Sequence, residues 1–390
     1  VMMCKKMSTR FLIAISLLMP LLVLCTAASA QGDWFDSAWQ YRKAITINAG
    51  QVPATLNNFP LLVKTTDTHL LANAELTGID IRFTADDGTS LLDYEIESYN
   101  GTTGLVAWVR IPILSSTADT EIYMYYGNSG ATSQENPTGV WDINYVMVHH
   151  LEETSGNHIN SASSTGTNDG IPTITGPPGT QGSATGRING ADELDGNDYV
   201  NCGDDASLKI TGSMTVEAWA YSENGTATST RIACKDPQGS VGKFILWKDA
   251  AGDLEFMVAD VSSAWYRIQG NPVADGAWFH VVGVFDAGSQ EVRLYKDGLQ
   301  VNSLATGAIT LKSTDETFTI GAASNNTHYW NGTIDEVRVS NTAMSADWIL
   351  TNYNNQNAPG TFYGIGTVSY THLRAHETVT LISYAVFCLK

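Results

Sequence analysis

Short runs rich in β-branched and aromatic residues follow one another along this chain, separated by turn residues. YRKAITIN from Tyr41, FPLLVKTT from Phe59, GLVAWVRIPIL from Gly104 and TEIYMYYGN from Thr120 occupy the first part, and no helix-period segment interrupts them. SMTVEAWAY, GKFILWKD, DLEFMVAD, WFHVVGVFD, EVRLYKDG and TIDEVRVS continue the pattern later, with turns such as Asp297-Gly298 between them. Runs this short, alternating and closely spaced, fit antiparallel sheets packed face to face. The expected fold class is therefore all-β, with two β-sandwich domains at 34–153 and 190–366. The 390 residues leave room for two cores of ordinary size.

The ends and the middle read differently. Lys5, Lys6 and Arg10 precede an apolar run from Phe11 to Leu24, and Ala28-Ser29-Ala30 offers small residues for cleavage before Gln31. Residues 1–30 are expected to be a secretory signal peptide, giving a secreted or cell-surface protein. The run is too short to span a membrane and is broken by Pro20, so no transmembrane segment is expected after signal removal. Cys25 suggests a lipoprotein anchor, but Leu24 before it is bulky for such a site. Residues 154–189 are dominated by Ser, Thr, Gly, Asn and Pro and read as a loop-rich linker or lead-in. SYTHLRAHET, Ser369 to Thr378, resembles translated sequencing-adaptor sequence, so 367–390 is set aside as a tail.

The formal charge of −19 excludes a nucleic-acid partner, because an acidic surface repels phosphates. The excess of Trp, Tyr, Asn and Gly over Lys suits a sandwich with long polar loops.

In NGTIDEVRVSNTAMSADWI, from Asn331, the apolar phase set by Ile334, Val337 and Val339 is broken by Asp335, Glu336 and Arg338. Ser340, Asn341 and Thr342 are candidate caps for a short helical turn at AMSADWI. Together with ADELDGNDYVNCGD, TVEAWAY, AWFHVVGVFD and VRLYKDG, this stretch resembles the laminin-G-like, concanavalin A-like jelly-roll family over about 190–366. WQYRKAITI, DIRFTADDGTSLLDYEIE, AWVRIP, IYMYYGN and VWDINYVMVHHLEE resemble the bacterial domain-of-unknown-function family 2341 over about 34–153. That second likeness implies no activity.

Many jelly-roll relatives hold a calcium ion between an early turn and the DEVR strand. The matching residues are Asp195 and Asn197 on the DGND turn and Asp335, which supply the oxygens calcium prefers; the competing reading has them satisfying turn and loop amides. Tyr329, Trp330 and Trp265 lie near turns, where exposed rings can stack on sugars, whereas Trp219 and Trp278 fall on the apolar phase and are expected in the core. Cys202 and Cys234 remain once the signal and tail are removed and are expected to form a disulfide, the alternative being two buried thiols. Glu336 and Arg338 are expected to form an ion pair.

Catalytic signals are weak. Asp93, Glu95 and Glu97 alternate on one strand and resemble the acidic triplet of sandwich glycosidases, but a solvated face is the expected reading. HHLEE, at His149 to Glu153, lacks H-E-x-x-H spacing, and no G-x-S-x-G elbow occurs. The expected function is a non-catalytic recognition or adhesion protein that binds a glycan or an extracellular protein, with structural calcium. The alternatives are a carbohydrate-active enzyme, glycoside hydrolase or lyase, and a structural spacer in a larger surface protein.

Overall fold

The strand Gly104–Leu114 shows how the chain is layered. Leu105, Ala107, Val109 and Ile111 join one apolar cluster, while Val106 and Trp108 join another on the opposite side. A strand buried on both faces lies inside a stack of sheets, not at its surface. The computed structural model describes residues 33–163, 165–177, 179–223, 229–237 and 242–371. The expected signal peptide and the tail beyond 371 lie outside them.

Within the described residues the chain is mostly β, and its paired strands run antiparallel in four stacked sheets. The first has four strands in the order Tyr363–Tyr370, Tyr41–Ile47, Thr120–Tyr126, Arg82–Ala85. The second has three: Leu56–Thr65, Gly104–Leu114, Tyr94–Asn100. The third runs Leu299–Ala305, Glu291–Lys296, Trp278–Asp286, Met214–Ser222, Asn331–Ser340, Gly190–Asp195, Thr180–Thr185, with Tyr145–His149 also paired to Asn331–Ser340. The fourth runs Trp265–Pro272, Asp253–Ala259, Phe244–Lys248, Thr230–Cys234, Thr319–Ile320, Tyr199–Asn201, Ile171–Thr173. One apolar core fills the gap between sheets one and two, and another the gap between three and four. A third core, with Leu62, Trp108, Val282, Val284 and Ile349, joins the two sandwiches face to face. Both belong to one compact unit.

The two-sandwich expectation holds, but the sequence boundaries at 153, 190 and 366 do not separate the sandwiches. Tyr145–His149, expected in the first, pairs with the closing strand of the second through Val337↔His149 and Val339↔Met147. Tyr363–Tyr370 returns to the first, pairing Tyr41↔Tyr370 and Ile47↔Tyr363, and so carries a strand past the expected end at 366. Alternation identifies a strand but not the sheet it joins. The expected linker 154–189 supplies Ile171–Thr173 and Thr180–Thr185, edge strands of sheets four and three. Side-chain bonds to backbone anchor its polar residues: Asn160 Oδ1 accepts from Val148 N at 2.9 Å, and its Nδ2 donates to Thr167 O at 2.7 Å.

The helical turn expected at AMSADWI is a longer helix, Ala346–Asn357, and its cap is Ser345, whose side chain accepts from Trp348 N. Ser340, Asn341 and Thr342 precede it. Thr351, Asn352, Asn355 and Gln356 are all buried, so polar contacts hold this helix between the sandwiches. Trp219 is buried as expected but faces this helix instead of its own sandwich core; it stacks on Tyr353 at 5.7 Å and donates to Gln356 Oε1 at 2.5 Å. Trp278 is half-buried.

Candidate functional site

Two facing strands depart from regular pairing where the sandwiches meet. On Asn331–Ser340 the register passes from Trp219↔Asp335 to Glu217↔Arg338, so Glu336 and Val337 together oppose a single residue. This bulge explains the phase break in the sequence. Ile334, Val337 and Val339 stay in the core of the second sandwich, while Glu336 turns outward at φ 54°. That left-handed conformation costs a non-glycine residue about 1–2 kcal/mol. On Tyr94–Asn100 the register shifts between Ile96 and Ser98, leaving Glu97 as the extra residue. Bulges re-aim side chains, and these two bring Glu97 and Glu336 together across the interface.

The result is a buried charged cluster. Arg338 lies between the rings of Trp108 and Trp141, 4.3 and 4.7 Å from their centroids. Its guanidinium bonds Glu217 at 3.2 Å and also Glu336, which is the expected ion pair. His150 Nδ1 is 2.9 Å from Glu336 Oε1 and 3.5 Å from Glu97 Oε2, and its Nε2 is 3.5 Å from Glu95 Oε2. Glu95 accepts from Trp141 Nε1 at 2.6 Å and Ser161 Oγ at 2.5 Å. Trp108 Nε1 donates to Glu97 Oε2 at 2.8 Å. Asp335 accepts from Ile188 N at 3.0 Å with one oxygen.

Burial opposes a charged imidazole at His150, but Glu336, Glu97 and Glu95 outweigh it and hold its pKa well above the usual value. Burial also raises Glu97 well above the usual carboxylate range, with Glu336 and Asp335 adding repulsion and His150 opposing. Asp335 is raised by burial and by Glu336. For Glu95 burial acts upward, but His150, Ser161 and Trp141 bring the net shift below the ordinary value. The solvated face expected for Asp93, Glu95 and Glu97 is thus corrected. Only Asp93 reaches the surface, where it pairs with Arg110; Glu95 and Glu97 are covered by the second sandwich.

Above this cluster a cleft of about 500 Å³ opens to solvent. Trp141 and Tyr145 lie at its base; Thr138, Asp142, Ser163, Ser207 and Asn341 give it hydroxyl, carboxylate and amide groups, and Ile143 stands exposed at its lip. Asn168 Oδ1, buried in the same wall, has no hydrogen-bond partner. Trp141 therefore serves both places, lining the cleft and donating to Glu95.

Residues 194–350 match the concanavalin A-like lectin/glucanases superfamily. Residues 77–165 match a domain-of-unknown-function family, number 2341. No curated protein matches the chain. Solved structures to which the chain is similar include the binding domain of Paraclostridial Mosquitocidal Protein 1, at 12% identity and TM-score 0.44, covering 54% of this chain and 52% of that one. The chain thus spans about half the length of that relative. Domain 4 of AbnA, a GH43 extracellular arabinanase from Geobacillus stearothermophilus, is similar at 20% identity and TM-score 0.41, over 54% of this chain and 98% of its own. The CBM40 of Ruminococcus gnavus IT-sialidase is similar at 14% identity and TM-score 0.37, over 42% and 96%.

Within the second sandwich, the residues singled out from sequence do not gather. Asp195 lies opposite Asn331, four residues along the strand from Asp335, a separation of about 13 Å. Asp335 is buried at the sandwich interface while Asp195 and Asn197 stay at the rim, so the three share no coordination sphere. Asn197 Oδ1 accepts instead from Thr175 Oγ1 at 2.7 Å. Trp330 is 1% exposed and belongs to the core, donating to Tyr221 O at 3.3 Å, so it offers no stacking face. Tyr329 is half-buried against Tyr199. Trp265 packs on Cys234, Ile245 and Trp247. His328 O accepts from Arg231 N, which places Tyr329 by the Thr230–Cys234 strand, three strands from that of Trp265, or about 14 Å. The rings form no common platform.

Cys202 and Cys234 are free and buried. Thr319–Ile320 pairs with both of their neighbourhoods, Asn201↔Thr319 and Cys234↔Thr319. Two strand spacings of about 4.8 Å exceed the roughly 7 Å reach of a disulfide between Cα atoms. The expected bridge is therefore corrected to two separated thiols.

Of the residues that converge, the Glu336–Arg338 pair is legible on one strand of the sequence, and the others are not legible as neighbours. His150 was visible in HHLEE, and Glu95 and Glu97 in LLDYEIE, but neither motif indicates that the other is its neighbour.

Proposed function

We propose that this protein is an exported, non-catalytic recognition module that binds a neutral glycan in the cleft that residues 138–168 form with Ser207 and Asn341. The supporting observation is the cleft's lining: a roughly 500 Å³ concavity of hydroxyl, amide and single carboxylate groups beside an exposed Ile143. Polyhydroxylated ligands pair with such groups and lay their apolar faces on such a side chain. The acidic formal charge favours a neutral ligand over a polyanion. A binding role is also supported by the burial of Glu95 and Glu97 beneath Trp108 and Trp141, where a polymer has no path to a carboxylate pair. Export is supported by the leader-like composition of the first thirty residues.

The test is a neutral-polysaccharide array probed with purified protein, with calcium and with chelator, beside the double variant Asp142→Ala/Asn341→Ala. Loss of two hydrogen-bonding groups is expected to weaken retention about 10-fold or more. No retained glycan, or equal retention by the variant, overturns the proposal. Consumption of the polymer would move the reading to an enzyme.

A further inference from the structure

The buried cluster has a geometry that the recognition proposal does not use. Glu97, His150 and Glu336 each present one ligand atom, and these atoms lie within 4.8 Å of one another. We propose that these three residues bind a divalent transition cation, zinc by preference, which fastens the two sandwiches together.

Four observations carry this. First, the Glu97 side chain is 1% exposed, and Oε1 has no hydrogen-bond partner, whereas Oε2 takes the Trp108 indole. A fully buried carboxylate oxygen left unpaired in a cluster of acids lacks a partner that a cation supplies. Second, His150 is arranged as a ligand of this kind usually is. Its Nε2 faces Glu95, which Trp141 and Ser161 fix in place, while Nδ1 faces Glu336 and Glu97. A carboxylate behind a histidine fixes the tautomer and ring orientation of a metal ligand. Third, Arg338 already holds Glu336 Oε2, which leaves Glu336 Oε1, 2.9 Å from His150 Nδ1, turned to the site. Fourth, Glu95, Glu97, Glu217 and Glu336 crowd around Arg338 and His150, a set of carboxyl groups that a dication can draw together.

The donor set selects the ion. One imidazole nitrogen with two carboxylates suits zinc and its first-row neighbours, whereas calcium prefers six to eight oxygens and magnesium retains water. The residues come from both sandwiches: Glu97 from the first, Glu336 from the closing strand of the second, and His150 from just beyond Tyr145–His149. The strained Glu336 φ and the bulge at Glu97 are the backbone distortions that let these side chains meet. Because Trp141 connects Glu95 to the cleft, the ion would also rigidify the cleft floor. This inference does not depend on what the cleft binds.

The site is closed to solvent, so the test loads metal during folding. The full chain is unfolded with chelator and refolded with equimolar zinc alone or with chelator, then dialysed, and bound zinc and thermal midpoint are measured. About one zinc per chain and a raised midpoint are expected. Glu95→Gln, which leaves the three ligands intact, is expected to weaken zinc about 10- to 100-fold, and His150→Gln to abolish retention. No zinc retained by the wild-type chain overturns the proposal, as does full retention by His150→Gln. If a variant does not fold, X-ray absorption at the zinc edge of the wild-type protein decides. One nitrogen with oxygens supports the assignment; sulfur from Cys202 or Cys234, or oxygen alone, overturns it.

Discussion

Asn355 brackets the backbone of Leu62: its Oδ1 accepts from Leu62 N at 2.7 Å and its Nδ2 donates to Leu62 O at 3.1 Å. Leu62 lies on the edge strand of the second sheet, and an edge leaves every other backbone pair unsatisfied. Two residues on, Tyr363 repeats the arrangement, its hydroxyl accepting from Lys64 N at 2.7 Å and donating to Lys64 O at 2.9 Å. The C-terminal segment thus completes a sheet formed some three hundred residues earlier. Asn355→Ala strands a buried amide and carbonyl and is expected to cost about 2–4 kcal/mol. Chemical denaturation measures this; a loss below about 1 kcal/mol would contradict the edge-capping role.

A chain ending after Asn357 loses Phe362 and Tyr363 from the first core and uncovers the edge of Tyr41–Ile47. The expected result is selective loss of the first sandwich with aggregation through the bare edge. Hydrogen exchange would find Tyr41–Ile47 unprotected while Met214–Ser222 stays protected. Equal protection in both would show that the returning strand is dispensable.

Arg338 is 1% exposed and bonds two buried carboxylates. Arg338→Met leaves Glu217 and Glu336 without it and is expected to destabilise by roughly 3–5 kcal/mol. Calorimetry at neutral pH, without added metal, provides the readout. Adding Glu336→Gln and Glu217→Gln should recover much of the loss, because the uncompensated charges go with them.

His158 is buried between Glu153, at 2.8 Å, and Asp192, at 2.9 Å. Burial disfavours its charge, but hydrogen bonds to Asp192 and Glu153 prevail and lift its pKa to about 9. The folded value lies above the ordinary one of about 6.5, so its stabilisation is complete below that pH and disappears as pH rises through about 9. His158→Gln should therefore lower the thermal midpoint at pH 6 and make little difference near pH 10. A gap that stays constant over this range would remove His158 as its source.

Alkylation in denaturant without reductant should label both Cys202 and Cys234, because Thr319–Ile320 separates them. A recovered Cys202–Cys234 peptide in mass spectrometry would contradict the structure.

The sequence by itself determined most of the strands, but not the edge strands Ile171–Thr173 and Thr180–Thr185 or the length of the helix Ala346–Asn357. Period-two alternation in YRKAITI and WFHVVGVFD follows from strand geometry and needs no partner to be read, whereas the phase break at Asp335, Glu336 and Arg338 is visible in the sequence but becomes a bulge only through pairing with Met214–Ser222. What local pattern could not carry was assignment between sheets: Tyr145–His149 and Tyr363–Tyr370 alternate like any strand, yet each joins the sandwich on the far side of the boundary the sequence suggested. The same limit governed the site. Glu97 has the spacing of a solvated face, and it becomes buried only because a second sandwich, hundreds of residues away in the chain, covers it. Trp330 has the look of an exposed ring at a turn, and only packing with Phe279 and Tyr221 places it in the core. Hydrophobic periodicity is a property of a single strand, whereas burial of a charge, separation of two thiols and closure of an edge are relations between strands, and only the tertiary structure decides them.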